Sequence, residues 1–155
     1  MKKTIVVEII TVLYIILFLY TGLSKLMDYS IFREQLEESP LLSSISSPIA
    51  LGLPIAELAA TLLLTIPRWR LKGLYASLVL MILFTSYVIG ILIFDEHLPC
   101  SCGGIIGELS WPQHIVFNSS FIGLAVIAIV FEKKNRDQLR LAMNITPTQL
   151  YGITK

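Results

Sequence analysis

Residues 74–94, LYASLVLMILFTSYVIGILIF, form an apolar run of 21 residues that contains no charged side chain. A helix of about 20 such residues is long enough to cross the hydrocarbon core of a bilayer. Three further apolar stretches of similar length lie on either side of it, at 4–23, 48–66 and 115–131. The sequence therefore predicts an all-α integral membrane protein, with a four-helix transmembrane domain in residues 1–131.

The composition supports this class. The chain has 155 residues, of which 55% are hydrophobic and 15% are charged, whereas soluble domains have about 45–50% apolar and about 25% charged residues. The net charge is +1 and we find no glycine-rich phosphate loop, so no feature predicts a nucleic-acid or nucleotide partner. Lys2 and Lys3 precede a run of about 20 residues without a small-residue cleavage site, which indicates a retained span rather than a signal peptide.

The positions of Lys and Arg predict the orientation in the membrane. Ten of the twelve lie at the N-terminus, in the 67–73 turn or in the polar tail 132–155. By the positive-inside rule, both termini, the turn and the tail face the cytoplasm. The loops after the first and third spans then face the periplasm or the cell exterior, where disulfides persist.

The first outer loop carries an amphipathic pattern. Tyr29, Phe32 and Leu36 fall along one side of a helix, while Arg33 and neighbouring glutamates fall on another. This spacing predicts a short helix lying at the membrane interface between spans 1 and 2. We expect Pro40 to end it and Ser43, Ser44, Ser46, Ser47 and Pro48 to form a loop. The helix either covers the bundle or shapes a binding cleft.

The loop after the third span holds both cysteines, in the sequence HLPCSCGG at residues 97–104. Cys100 and Cys102 are close enough along the chain for a strained disulfide, and Gly103 supplies the backbone freedom that a tight ring needs. Ser110 and Pro112 are typical of a helix start, and a helix N-terminus stabilises a nearby thiolate. The pattern suits thiol–disulfide exchange.

Two histidines flank the cysteine pair and leave three interpretations open. His97 and His114 can accept protons, hold a thiolate as cations, or join Cys100 and Cys102 as ligands for Cu(I) or Zn(II). The spacing of two cysteines by one residue is not that of common zinc sites. The pair is therefore redox-active, a structural bridge, or part of a metal site.

Glu57 lies near the middle of the second span, where an ionisable side chain needs a partner, a proton or a wet cavity. Lys25, at the outer end of the first span, can extend its long side chain towards it. Glu57 serves either as a structural clasp between helices or as a group that handles protons or ligand. Neutral hydrogen-bonding partners are offered by Thr11, Tyr14, Thr85, Ser86 and Asn118.

Several of these motifs occur together in a known family. The chain has Gly22-Leu-Ser-Lys25 closing the first span, Ser39-Pro40 after the Phe32 segment, Pro54-x-x-Glu57 in the second span, and Cys100-Ser-Cys-Gly103 before the fourth. In these features, over about the first 131 residues, it resembles the MauE branch of the DoxX-like membrane proteins.

The resemblance implies a four-helix protein of the bacterial inner membrane with a redox-associated role. MauE is linked to the maturation of methylamine dehydrogenase, whose small subunit is rich in disulfides, and DoxX relatives are linked to thiosulfate oxidation with quinone. By this resemblance, Cys100 and Cys102 correspond to the redox pair of the family, and Glu57 corresponds to its intramembrane acid. It does not establish methylamine as a substrate here.

The leading hypothesis is a thiol–disulfide redox protein that exchanges electrons with a periplasmic client and passes them to a membrane quinone. The four-helix disulfide-forming proteins DsbB and vitamin K epoxide reductase offer an analogy, but they use two cysteine pairs. This chain has two cysteines in all, so either the same pair meets both the client and the quinone, or a separate protein supplies the second dithiol. The alternatives are a non-catalytic assembly factor, as a subunit of a membrane complex, and a Cu or Zn carrier.

Overall fold

The computed structural model describes residues 2–39, 42–94 and 111–144. These residues form α-helices, one short 3₁₀ helix and no strand, which confirms the predicted all-α class. The α-helices are α1 (Lys2–Met27), α2 (Tyr29–Glu38), α3 (Ser46–Thr65), α4 (Arg70–Phe94) and α5 (Trp111–Asn144).

Four helical stretches are long and apolar enough to cross a membrane: Thr4–Met27, Ser43–Thr65, Arg70–Ile93 and Gln113–Leu139. They correspond to the four predicted spans, so the protein is a multi-pass membrane protein in contact with lipid. Large apolar side chains cover their outer faces, with more than half of the side chain exposed at Ile9, Ile16, Leu62, Leu83 and Val116. In a bilayer these faces contact lipid tails.

The stretch before the second span is more ordered than the sequence predicts. Ser43–Ile45 form the 3₁₀ helix, and Ser46 already begins α3. The expectation of a loop through Pro48 is therefore wrong. Proline is tolerated in the first turn of a helix, because the N–H groups there have no intrahelical acceptor.

The four long helices form a closed ring in the order α1, α3, α4, α5, with each helix packed against the next. The short turn between α3 and α4 makes these neighbours antiparallel. The end of α1, the start of α3 and α2 lie at one end of the bundle, here called the α2 end. The α3–α4 turn lies at the opposite end, here called the turn end.

The core combines aromatic side chains of α1 and small side chains of α3 and α5 with larger apolar side chains such as Leu74 and Met81 of α4. Tyr14 and Phe18 are almost completely buried and pack against Ala60, Ala125 and Ala128. The Tyr14 hydroxyl donates a hydrogen bond to the Phe121 carbonyl at 2.6 Å. Small residues at helix contacts allow backbones to approach closely, which is how membrane helices gain packing energy.

Two contacts hold the turn end together. Arg136 of α5 donates from Nη2 to the Pro67 carbonyl at 3.0 Å and from Nε to Glu132 at 2.9 Å. At the start of α4, Gly73 lies so close to α3 that an added Cβ would be 2.8 Å from the Leu64 amide nitrogen. The close approach of α4 to α3 thus requires glycine at this position.

Replacing Gly73 with Ala should destabilise the bundle by about 1–3 kcal/mol, since the new methyl group overlaps backbone that cannot move independently. Gly123→Ala is the matched control, because nothing lies within 4 Å of a Cβ built there. Thermal unfolding in detergent, followed by circular dichroism, should show a lower midpoint for the first variant only. Equal midpoints would contradict the close packing of α3 and α4.

Candidate functional site

A buried ion pair connects α1 and α3 near the α2 end. Lys25 Nζ donates to Glu57 Oε1 at 2.6 Å, and the two side chains are 12% and 1% exposed. The sequence predicted that Lys25 could extend towards Glu57, and the two are in direct contact. In a low-dielectric interior the Coulomb attraction within such a pair is stronger than at a surface, and it opposes the cost of removing both charges from water.

Gly22 permits this contact. A Cβ at Gly22 would lie 3.3 Å from Leu58 Cγ and 3.4 Å from Glu57 Oε2. A methyl group there would be in tight contact with Leu58 and in ordinary contact with the carboxylate, and a longer side chain would press on both. The glycine, three residues before Lys25 on α1, lets the two helices approach closely enough for the ammonium and carboxylate groups to meet.

The Lys25 ammonium group also faces two aromatic rings. Its Nζ lies 5.0 Å from the ring centroid of Phe84 on α4 and 5.7 Å from that of Phe32 on α2. Both distances are within the range of a cation–π interaction. With Glu57 on α3, this single cation therefore interacts with three helices besides its own.

The second oxygen of Glu57 has a different environment. Oε2 is buried and receives no hydrogen bond from any side chain or amide in the described part of the chain. Thr21 lies beside the carboxylate, but its single hydroxyl proton is donated to the Leu17 carbonyl at 2.9 Å. A buried carboxylate oxygen without a donor is costly, so Oε2 is suited to accept a hydrogen bond from a ligand.

A cavity of about 520 Å³ adjoins the ion pair. All five α-helices contribute to its wall, which is mainly apolar and includes several aromatic rings. Its polar members are Thr21, Lys25, Glu57, Tyr87, His114 and Asn118. A mostly apolar cavity with a few convergent polar groups is the usual form of a small-molecule site.

The predicted interfacial helix is present as α2 and forms part of this wall. Phe32 and Leu36 are buried and line the cavity, while Arg33 and Glu37 pair with each other on the exposed side at 2.8 Å. Of the two roles considered for this helix, the structure supports the one in which it shapes a cleft. The amphipathic pattern in the sequence correctly predicted which side of α2 is buried.

The remaining predicted site residues divide into two groups. His114, in the second turn of α5, lines the cavity together with Lys25 and Glu57. Cys100, Cys102, His97 and Gly103 lie outside the described residues. Within the described ranges, no three His, Cys, Asp or Glu side chains form a metal-binding group, and of the proposed metal ligands only His114 falls in those ranges.

Three neutral partners suggested for Glu57 are engaged elsewhere. The hydroxyls of Thr11 and Thr85 donate to the Val7 and Met81 carbonyls, each four residues earlier in its own helix. Tyr14 instead bonds α5, as described above. Helical threonine commonly bonds back to the preceding turn. Sequence reasoning missed Thr21, although its position four residues before Lys25 places both on one face of α1.

Replacing Lys25 with Met should destabilise the protein by about 3–5 kcal/mol, because Glu57 is left buried and unpaired. The double variant Lys25→Met/Glu57→Gln should lose less stability than Lys25→Met alone. Arg33→Gln, which breaks an exposed pair, is the control and should cost about 0–1 kcal/mol. Unfolding in mixed detergent micelles would measure the free energy of unfolding of the wild type, Lys25→Met, Glu57→Gln, the double variant and Arg33→Gln. Additive losses in the double variant would contradict a coupled pair.

Comparison with known proteins identifies the family. The family model described as "Methylamine utilisation protein MauE" matches residues 3–131. The matched range contains the ion pair, all the cavity residues and both cysteines. Neither the curated proteins nor the solved structures give a match. Because the family match covers more than four fifths of the chain, the protein belongs to the MauE family of membrane proteins.

Proposed function

We propose that this MauE-family protein is a thiol–disulfide redox protein of the bacterial inner membrane. In this role Cys100 and Cys102 exchange electrons with a periplasmic client protein, and a membrane quinone accepts the electrons. The observation that carries the proposal is the mainly apolar, partly aromatic cavity with its few polar groups, which lies towards the end of the bundle where α4 ends and α5 begins.

That placement follows from the helices on either side of the connection. α4 ends at Phe94 and α5 begins at Trp111, and residues 95–110 join them. Val88 near the end of α4 and His114 near the start of α5 both line the cavity. The parts of α4 and α5 that flank the cysteine-bearing residues therefore contribute to the cavity wall.

The exchange has two balanced halves. A client thiolate attacks the Cys100–Cys102 disulfide, breaks the S–S bond and forms a mixed disulfide, releasing one cysteine as a thiolate. A second client thiolate then attacks the mixed disulfide, so the client leaves with its own disulfide and both cysteines are reduced. In the second half, two electrons and two protons pass from the dithiol to quinone, which restores the disulfide and yields quinol.

The other site residues support these steps. His97 and His114 accept or return protons and stabilise a thiolate near the start of α5. Gly103 allows the tight ring and leaves room for a client sulfur to approach. Glu57 handles a proton at the cavity. Because the chain has one cysteine pair, the client and the quinone supply the other two redox groups of the electron-transfer path.

The proposed location follows the distribution of basic residues. With the termini and the α3–α4 turn in the cytoplasm, the α2 end and the cysteine connection face the periplasm. That compartment permits stable disulfides and contains secreted client proteins. The family name refers to methylamine utilisation, and we propose a client of the same kind, a disulfide-containing periplasmic subunit, without assigning its substrate.

The double variant Cys100→Ser/Cys102→Ser should reach normal membrane levels and lose client oxidation, because no sulfur remains to form the mixed disulfide. Free thiols of the periplasmic proteins would be labelled in intact cells with a reagent that shifts gel mobility. Ser101→Ala is the matched control, because it alters the same loop and retains both sulfurs; it should leave client oxidation unchanged.

Unchanged client oxidation in the double variant would overturn the proposal and favour an assembly factor with a structural bridge. Stoichiometric Cu or Zn in the purified protein, lost in that same variant, would favour a metal carrier. In the wild type, depletion of quinone should shift Cys100 and Cys102 to the reduced form. A pair that remains oxidised even after added reductant would contradict a redox role.

A further inference from the structure

We propose that the cavity binds the ring of a membrane quinone and of its quinol, with Lys25 and Glu57 as the polar partners of one of its two oxygen atoms. The role of this ligand as electron acceptor rests on the proposed function. Its binding rests on the cavity alone. A quinone site in the cavity would give the protein a second functional site besides the cysteine pair.

The position and surface of the cavity limit what it can hold. It lies among four membrane-spanning helices and α2, and most of its wall is apolar. A ligand that reaches it through the bilayer must itself dissolve in lipid. The volume of about 520 Å³ falls within the roughly 300–1,000 Å³ typical of small-molecule sites, which suits one aromatic headgroup and the first part of an apolar tail.

Aromatic side chains make the wall suitable for a flat ring. Phe32, Phe84 and Phe117 come from α2, α4 and α5, and all three line the cavity. Offset and edge-to-face contacts with such rings favour a planar aromatic ligand over a flexible acyl chain. The Lys25 cation beside Phe32 and Phe84 places a hydrogen-bond donor next to this aromatic region.

The ion pair offers one donor and one acceptor to a ligand. The Lys25 ammonium group has three N–H donors, and its bond to Glu57 Oε1 uses one of them. Glu57 Oε2 is a buried acceptor that receives no hydrogen bond from the residues described. A quinone carbonyl accepts from Lys25, whereas a quinol hydroxyl donates to Oε2. The same pair can thus hold both redox states.

Glu57 can also take part in the proton transfers that accompany quinone reduction. When two cysteine thiols become a disulfide, two electrons and two protons are transferred to the quinone, and both ring oxygens become hydroxyls. The Glu57 carboxylate can accept a proton from the dithiol side through His114 or water and then donate it to one ring oxygen, which restores the carboxylate. A saturated phospholipid chain has no groups that use either Oε2 or the ammonium donors.

Gly52→Leu provides the direct test, because Gly52 lines the cavity and nothing lies within 4 Å of a Cβ built there. The added side chain should occupy the ligand volume and reduce binding of decylubiquinone at least tenfold. Gly123→Leu is the matched control. It replaces another helical glycine that has open space around it and does not line the cavity, so it should bind like the wild type.

Binding would be measured as decylubiquinone retained per protein after gel filtration in detergent. An azido derivative of the same quinone, photolysed on the wild type, should label peptides of α1, α3, α4 or α5 around the cavity. Because this labelling uses the wild-type protein, its result does not depend on whether a variant folds. Labelling confined to the outer, lipid-facing side chains, or equal binding by Gly52→Leu and Gly123→Leu, would overturn the site.

A second pair of variants tests the polar partners. Glu57→Gln should weaken decylubiquinol binding on the order of tenfold, since a hydrogen bond to a charged acceptor is replaced by a neutral one. Decylubiquinone should be affected less, because its carbonyls do not donate. Glu8→Gln is the control: Glu8 is also an acid within a span but is exposed and does not line the cavity. Equal losses for both ligand forms would contradict the role of Oε2.

The cysteine variant separates this inference from the proposed function. Cys100→Ser/Cys102→Ser should bind decylubiquinone with wild-type affinity and fail to reduce it. Wild-type protein that oxidises client thiols but binds no quinone would overturn the cavity site and leave the thiol chemistry standing. Purified protein that holds a phospholipid in the cavity, which decylubiquinone cannot displace, would assign the cavity to lipid instead.

Discussion

The architecture at the α2 end depends on the contact between Lys25 and Glu57. A lone carboxylate at this depth in a membrane bundle would be strongly unfavourable, and a lone ammonium group nearly as much. Together, at 2.6 Å, they form a buried pair whose Coulomb energy and hydrogen bond offset part of the cost of removing both charges from water. Because the partners lie on α1 and α3, the register of these two helices is tied to the pair.

The two ends of the bundle are packed differently. Near the turn end, Ala60, Leu64, Ala128 and Ile129 pack into a continuous core, and the helices are drawn together at Gly73. Near the α2 end, the ion pair and the rings around it line a cavity, and Phe32, Leu36 and Ala50 form a separate apolar cluster.

Helix α2 closes one side of this cavity. Its apolar side closes one wall through Phe32 and Leu36, and its charged side faces away from the bundle. A cavity between transmembrane helices is thus closed on one side by a short amphipathic helix. In the function proposed above, a lipid-soluble electron acceptor would bind below this helix and a protein client would bind outside it.

The sequence by itself determined the class, the four spans and the amphipathic side of α2, because each depends on local composition and periodicity. It also marked Glu57 as a group in need of a partner and Lys25 as a side chain able to reach it. Only the tertiary structure decided which candidates meet. Thr11, Tyr14 and Thr85 bond main-chain carbonyls instead, and Thr21, Phe84 and His114 join the cavity wall. Such choices depend on how closely α1, α3, α4 and α5 approach one another, which is a property of packing between helices distant in the chain.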